Sequence, residues 1–192
     1  MPLFYGGTPA YFHALLKAGT PTFETHEHFI KQTLRNRLLI LGPNGMQKLV
    51  IPTRKTGSHR VMHRVEISYD ENWQKNHWKS LEAAYRRSPY FEYYEDKIAP
   101  LYQEKTQLLV DFNLRMISTV FDLLEVPFQY RLTDKFVPYS LNDHRLNDFH
   151  LAHQKPYNQV FSDRMDFVPN LSMLDLLFNL GPAALKYLNE SH

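Results

Sequence analysis

The sequence predicts an α+β fold, with a small antiparallel sheet in the N-terminal third packed against a mainly helical C-terminal part. Before residue 70, apolar residues alternate with polar ones or form short runs, which is typical of strands. After residue 70 they recur at helical spacing. Strands that come first and helices that follow are typical of α+β rather than alternating α/β folds. A chain of 192 residues has the length of one domain, so we expect residues 1–192 to form a single domain.

The N-terminal elements are a short helix followed by strands. An apolar stretch at 11–18 predicts a helix, which the sequence Gly-Thr-Pro ends. Residues 23–30 alternate and predict a strand that carries polar groups on both faces. Apolar runs at 37–41 and 49–52 predict a hairpin around the turn sequence Gly-Pro-Asn-Gly. The alternation at 61–68 predicts a third strand in the same sheet.

Helical spacing dominates the second half of the chain up to a polar segment. Trp73, His77 and Leu81 share one stripe of a predicted helix, which Ser-Pro ends at residues 88–89. The apolar residues of 97–124 predict a second, longer helix. Residues 128–155 have no clean period, and we expect an irregular segment there.

Two short helices are predicted at the C-terminal end. The first covers residues 173–180, and the sequence Gly-Pro separates it from the second at 183–188. Ser172 and Asp175 have the spacing of a capping box, which predicts a structural role for this carboxylate.

The composition excludes several classes of chemistry. The sequence contains no cysteine, which excludes disulfides, thiolate zinc sites, iron–sulfur clusters and cysteine nucleophiles. The 22 Lys and Arg residues nearly balance the 20 Asp and Glu residues, and a net charge of +2 argues against nucleic acid as a partner. There are only seven Gly residues and no glycine-rich phosphate loop. An anionic ligand must therefore be held by Arg and Lys side chains or by a helix N-terminus.

The chain also lacks the sequence features of a membrane or secreted protein. It contains no window of about 18 apolar residues and no secretory signal. We therefore expect a cytoplasmic protein without membrane insertion. No motif of the sequence calls for a cofactor, and none is predicted.

The densest polar cluster of the predicted sheet starts at His26. On a strand, His26 and His28 point the same way, a spacing used by metal ligands and by paired acid–base groups. Two histidines alone do not hold zinc, so no metal site is predicted. The Arg side chains of Arg35-Asn36-Arg37 lie near Lys31 in sequence and suit a carboxylate or a phosphate. The alternative is an exposed edge strand with a solvated run of charges.

Two further candidates lie outside this cluster. His77 sits on the apolar stripe of its helix and is expected to face inward, where it is either a core histidine or an acid–base catalyst. Lys55 belongs to a second basic set, together with the lysines that flank His77. The residue types leave both alternatives open.

A succession of short motifs then runs through the chain in a fixed order. The motifs are Phe29-Ile30-Lys31-Gln32, Asn36-Arg37, Ile51-Pro52 with Lys55, Ile67, Trp73-x-Lys75-x-His77 with Leu81, Tyr85, Pro89 and Phe91, Phe167-Val168-Pro169-Asn170-Leu171-Ser172, and Leu174-Asp175-Leu176-Leu177-Phe178-Asn179 with Gly181. In this order, over about residues 23–188, the sequence resembles the WbqC-like family. It resembles the short form of that family, as in Bacteroidetes-type bacteria.

The resemblance implies a bacterial cytoplasmic protein of surface-polysaccharide (O-antigen) metabolism, and an amino-acid (glycyl) transferase that acts on a sugar. It favours the polar members of the pattern as site residues: Lys31, Asn36, Arg37, Lys55 and His77. The sequence departs from the family at residues 7–12, which keep only a Pro and the Tyr-Phe end of the usual opening motif. It also has the irregular segment 128–155 in place of a longer insert.

These observations favour a function as a group transferase. Arg37 and Lys31 would bind the phosphate of a sugar nucleotide or acyl donor, Asn36 would orient a carbonyl or hydroxyl, and His77 would take the proton of the acceptor. An amino-sugar is the expected acceptor, and His26, His28 and Lys55 are further candidates for binding. The alternative is a non-catalytic sugar-nucleotide-binding or accessory protein of the same pathway. For the transferase, we expect Lys31, Arg37 and His77 to converge in one pocket of a few hundred Å³.

Overall fold

Helices and a few short strands, most of them in separate parts of the chain, confirm the predicted α+β fold. The computed structural model describes residues 1–55, 57, 60–139 and 143–190. Within these residues the order of elements is α1 (Pro9–Ala18), β1 (Thr22–Phe23), β2 (Arg37–Gly42), β3 (Gly45–Val50), α2 (Trp73–Tyr85), α3 (Phe91–Gln103), α4 (Leu109–Leu123), β4 (Arg131–Leu132), α5 (Met173–Leu180) and α6 (Ala183–Glu190).

The predicted hairpin is confirmed as the antiparallel pair of β2 and β3. The two strands are fully registered from the pair of Arg37 and Val50 to the pair of Gly42 and Gly45. Gly45 has a φ of 109°, a value that favours glycine and that explains its place in the turn. Leu38, Ile40 and Leu49 are buried on the inner face of the hairpin. In the helical layer, α2 and α5 pack against β2.

The predicted strands at 23–30 and 61–68 are wrong. Only Thr22–Phe23 is a strand, and it pairs in parallel with β4. The segment that follows binds residues 60–63 through irregular backbone hydrogen bonds, such as that from the Met62 amide to the Glu27 carbonyl. Alternation predicted a strand wrongly here because residues 23–25 are buried in succession, with their polar groups satisfied inside the protein.

The predicted long helix at 97–124 is two helices, α3 and α4, that meet at residues 104–108. The amide of Ile67 binds the Gln107 carbonyl, and the amide of Leu109 binds the Val65 carbonyl. These backbone groups are therefore used by the segment around residue 66 rather than by a continuous helix. The apolar spacing continues through the break because both sides of it line the same core.

The predicted capping box at α5 does not form. The Asp175 amide donates to the backbone carbonyl of Ser172, and the Ser172 hydroxyl has no partner within the described residues. The Asp175 carboxylate lies in the core instead, where it accepts from Tyr85 (2.8 Å), Tyr157 (2.6 Å) and Gln159 (3.2 Å). Tyr85 also accepts from the Leu41 amide, so this network joins β2, α2 and α5.

The segment 128–155 is irregular, as predicted, apart from β4 and a 3₁₀ turn at His144–Leu146. Residues 140–142, which include the polar residue Asn142 of this segment, lie outside the described residues. Among the residues that the structure describes, none of the helices combines the length and apolar character that a membrane span requires.

Candidate functional site

An open cleft lies between the outer face of the hairpin and the irregular segment. Its volume is about 480 Å³. We call it the Arg37 cleft. It is lined by Phe4, Ile30, Gln32, Thr33, Leu34, Arg35, Arg37, Leu39, Lys48, Arg145, Leu146, Asn147, Asp148, Phe149 and His150. One predicted site residue, Arg37, therefore lies in the cleft. The opposite wall is formed by residues 145–150, more than 100 positions later in the sequence.

Strand pairing places two cations on the same face of the hairpin. Side chains alternate along a strand, so Arg37 and Leu39 leave β2 on the side opposite Leu38. Leu39 pairs with Lys48 across the hairpin, which puts Lys48 on that same outer face. Lys48 is exposed, whereas Leu38 is buried. The hairpin thus presents Arg37 and Lys48 to the cleft.

Arg35 lines the cleft, but a buried carboxylate neutralises it. Its Nη2 lies 2.5 Å and its Nε 2.9 Å from Oε1 of Glu27. Each of these two side chains is only 4% exposed. An ion pair taken out of water needs such close contacts to offset the loss of hydration. Arg35 therefore shapes the cleft wall more than it adds positive charge.

Arg145 is likewise committed to partners inside the protein. Its Nε contacts both carboxylate oxygens of Asp143, at 2.9 and 2.8 Å, and its Nη2 donates to the Val137 carbonyl. Its Nη1 lies 3.7 Å from a carboxylate oxygen of Glu24. The hydrogen bonds from Arg145 lower the pKa of the Asp143 carboxyl to about 2. These contacts fix the position of the second cleft wall.

Arg37 keeps unused hydrogen-bonding capacity. One of its terminal nitrogens donates to the Gln32 carbonyl at 3.0 Å. Its Nε is buried and has no partner within the part of the chain that the structure describes. Because Arg35 and Arg145 already have counter-ions, Arg37 and Lys48 are the cations of the cleft that can bind an anion.

His77 lies in the core and does not line the Arg37 cleft. The side chain is 5% exposed and packs beside Trp73, with ring centroids 5.1 Å apart. One ring nitrogen faces the Val50 carbonyl, so it carries the proton, and Nδ1 accepts from the Tyr5 hydroxyl at 3.1 Å. Tyr5 in turn contacts the Tyr102 hydroxyl at 2.8 Å. The predicted inward orientation is confirmed. Both ring nitrogens have hydrogen-bond partners, as is typical of a histidine in a protein core.

Burial lowers the pKa of His77 to about 4, which makes the stability of the protein pH-dependent. An unfolded histidine titrates near 6.5, so between about pH 6.5 and 4 the unfolded state binds more protons. We expect this group to lower the free energy of unfolding by about 3 kcal/mol as the pH falls through that range. Urea denaturation at pH 7, 5.5 and 4 measures this change. Between pH 7 and 4, His77→Gln should lose less of its free energy of unfolding than the wild type does. Equal losses in both proteins would contradict the assignment.

The other predicted site residues are dispersed. Lys31 and Lys55 are exposed, and neither lines the cleft. Asn36 is buried, and its amide donates to the Ile51 carbonyl at 2.9 Å. The expected convergence of Lys31, Arg37 and His77 in one pocket is not observed in this cleft. Roles for Lys31, Asn36, Lys55 and His77 stay predictions.

His26 and His28 do not share one face of a strand, because the segment is not a strand. The ring of His26 lies against that of His63, with centroids 4.3 Å apart. His28 is exposed, and its backbone pairs with Val61 in an isolated bridge. Within the described residues, no group of three or more His, Asp or Glu side chains could hold a metal ion.

The sequence did not indicate the cleft members that lie outside residues 30–37. Lys48 could have been found, since the turn of the hairpin pairs it with Leu39. Asp148 and His150 lie in the segment 128–155, which has no clean period in the sequence. No local pattern indicates that this segment packs beside Arg37.

A family model identifies the family of this chain. The model of the WbqC-like protein family matches residues 8–150 and 138–187. A protein of Mycobacterium tuberculosis (strain ATCC 25618 / H37Rv), described as uncharacterized protein Rv1507c, is 25% identical over 195 residues, which covers 83% of each chain. No solved structure matches the chain. Since the family model spans most of its length, the chain belongs to the WbqC-like protein family.

Proposed function

We propose that the Arg37 cleft binds a phosphate-bearing ligand, a sugar nucleotide or an acyl donor, for group transfer in surface-polysaccharide synthesis. The observation that carries this proposal is the placement of Arg37 and Lys48 on one face of the hairpin, where neither has a carboxylate partner among the residues that the structure describes. Guanidinium groups bind phosphate oxygens through two parallel hydrogen bonds, and an ammonium group adds a point charge.

The size and lining of the cleft suit such a ligand. A volume of about 480 Å³ lies within the range of small-molecule sites. Phe4 and Phe149 form an apolar part of the wall, and the exposed side chains of Ile30 and Leu146 continue it. A ligand with a charged phosphate and a less polar sugar or acyl part would contact both kinds of surface.

The type of reaction rests on the resemblance to the WbqC-like family. Transfer of an amino-acid or related acyl group to a sugar requires an anion site for the donor and a base for the acceptor. The cleft supplies the anion site, whereas His77 is enclosed by Tyr5, Trp73 and Tyr102. The alternative function is an accessory protein that binds the same sugar nucleotide without turning it over.

Arg37→Gln tests the binding site. We expect this variant to bind UDP-N-acetylglucosamine and inorganic pyrophosphate about 10-fold or more weakly than the wild type, since it loses charge-assisted hydrogen bonds. Isothermal titration calorimetry measures both affinities. Lys186→Gln is the matched control, because it removes one positive charge from the exposed surface of α6, away from the cleft.

Unchanged affinity in Arg37→Gln, or equal losses in both variants, would contradict the assignment of the cleft. A urea denaturation curve for each variant separates a loss of binding from a loss of folding. Incubation of the wild type with a sugar nucleotide, an amino acid and an acyl donor then distinguishes the two functions. Release of phosphate or nucleotide supports the transferase, and binding without turnover supports the accessory protein.

A further inference from the structure

A carboxylate and an imidazole form a pair on the wall of the Arg37 cleft opposite the hairpin. Asp148 and His150 both line the cleft, and Nδ1 of His150 is in hydrogen-bonding contact with Oδ1 of Asp148. The same carboxylate oxygen accepts from the His150 backbone amide at 3.2 Å. The imidazole is 44% exposed, so solvent and ligand can reach it.

This contact determines which ring nitrogen is available for proton transfer. An ionised carboxylate can only accept, so the proton of a neutral His150 imidazole lies on Nδ1. The lone pair is then on Nε2, the nitrogen that Asp148 does not contact. A neutral imidazole held in this tautomer by a carboxylate has the arrangement of a general base.

The backbone that carries the pair is anchored on both sides. Phe149, between the two residues, is buried, and its carbonyl accepts from the Thr8 hydroxyl at 2.5 Å. The ring of Phe149 lies 5.7 Å from that of Phe4, centroid to centroid. On the C-terminal side, the Leu151 amide donates to the Asn170 side chain at 2.8 Å. The position of His150 is therefore set by contacts with two distant parts of the chain, the N-terminal segment and Asn170.

We propose that His150 is the general base of the cleft and that Asp148 is its positioning residue. This inference rests on the proposed function, because it takes the ligand to be an acyl donor with a phosphate leaving group. His150 Nε2 accepts the proton of an amine or hydroxyl of the acceptor. That nitrogen or oxygen forms a bond to the acyl carbon, the bond from this carbon to the phosphate oxygen breaks, and its electron pair leaves with the phosphate.

The two walls of the cleft then have separate tasks. Arg37 and Lys48 face the leaving phosphate, and His150 faces the acceptor. The transferred proton passes from His150 to the released phosphate or to water, which restores the neutral imidazole. The charged groups that share the cleft with His150 are Asp148, Arg35, Arg37, Lys48 and Arg145.

Carbethoxylation by diethyl pyrocarbonate tests whether His150 is a reactive, neutral imidazole of the cleft. Mass spectrometry of tryptic peptides gives the rate at each histidine. We expect His150 to react at least 5-fold faster than His153, an exposed histidine outside the cleft, and inorganic pyrophosphate to protect it. Equal rates for the two histidines would overturn the proposal. So would a lack of protection at a pyrophosphate concentration that saturates the protein.

Turnover provides the catalytic readout, with acetyl phosphate as donor and glucosamine as acceptor. We expect His150→Gln to lower the rate of phosphate release by about 100-fold or more, the usual contribution of a general base, and to leave pyrophosphate affinity unchanged. His153→Gln is the matched control and should keep the wild-type rate. A His150→Gln variant with the wild-type rate, or a wild type no faster than the uncatalysed reaction, would overturn the proposal.

Asp148→Asn separates positioning from structure through kcat and KM. An amide side chain can donate as well as accept, so it no longer fixes the imidazole proton on Nδ1, and the variant should lower kcat for phosphate release while KM stays unchanged. An unchanged kcat would show that Asp148 does not act through His150. If pyrophosphate fails to bind the wild type, the proposed function fails, whereas the carbethoxylation rates measured without ligand still show whether His150 is a reactive imidazole.

Discussion

Replacing Glu27 by Gln should lower the free energy of unfolding by about 3–5 kcal/mol, because it leaves the Arg35 guanidinium buried without its counter-ion. Both side chains are 4% exposed, and two nitrogens of Arg35 contact one oxygen of Glu27. Urea denaturation at pH 7, followed by circular dichroism, measures the change. Glu66→Gln is the matched control, because its partner Arg54 is largely exposed and such pairs contribute less than about 1 kcal/mol.

The double variant Glu27→Gln with Arg35→Met tests the reason for this loss. It removes the unpaired charge, so it should be more stable than Glu27→Gln alone. A double variant that is as unstable as the sum of both single variants would show that the residues do not act as a pair. Equal effects of Glu27→Gln and Glu66→Gln would contradict the buried ion pair itself.

Asp175→Ala should be comparably destabilising, by about 3 kcal/mol or more. The Asp175 side chain is fully buried and accepts from Tyr85, Tyr157 and Gln159. Its removal leaves the hydroxyls of Tyr85 and Tyr157 without this acceptor, whereas Gln159 still donates to the Val168 carbonyl. Each unsatisfied buried group costs about 1–3 kcal/mol. Denaturant unfolding at pH 7 measures the loss. Asp166→Ala removes an exposed carboxylate in the same part of the chain and should change stability by less than about 0.5 kcal/mol.

The ionisation of Asp175 makes its contribution to the free energy of unfolding depend on pH. Burial raises the pKa of its carboxyl above the ordinary value, even though three hydrogen bonds act in the opposite direction. The folded state therefore binds more protons than the unfolded state above about pH 4, and the stability contributed by this group is lost as the pH rises through the raised pKa. The stability of the wild type relative to Asp175→Asn should accordingly increase from pH 7 towards pH 4. A constant difference would contradict the raised pKa.

Local patterns predicted those parts of the fold that depend on neighbours in sequence. The first helix starts two residues before the predicted stretch, at Pro9, because Thr8 caps it with its hydroxyl. The hairpin followed from its turn and its apolar runs. The helical stripe of Trp73, His77 and Leu81 was correct, since its buried face is set by a period of 3.6 residues.

Patterns failed where polar groups are buried through long-range contacts. The sequence predicted a strand at 23–30 with polar groups on both faces, but two of these groups, Glu24 and Glu27, are buried and neutralise arginines of other segments. The break between α3 and α4 was hidden because the backbone of residues 107–109 bonds to a distant segment. Asp175 looked like a capping residue, and only the tertiary structure brings Tyr85 and Tyr157 to its carboxylate.

The sequence by itself determined the family, the α+β class, the hairpin that carries Arg37 and the inward orientation of His77. These properties depend on residue order and on the local periods of strand and helix. The tertiary structure decided that His77 is enclosed in the core and that His150 lies in the cleft with Arg37. The reason is physical: the period of an element sets which of its faces is buried, but not which distant segment packs against the other face. Here the buried contacts of Arg145 and Phe149 hold that segment in place, and with it the second wall of the candidate site.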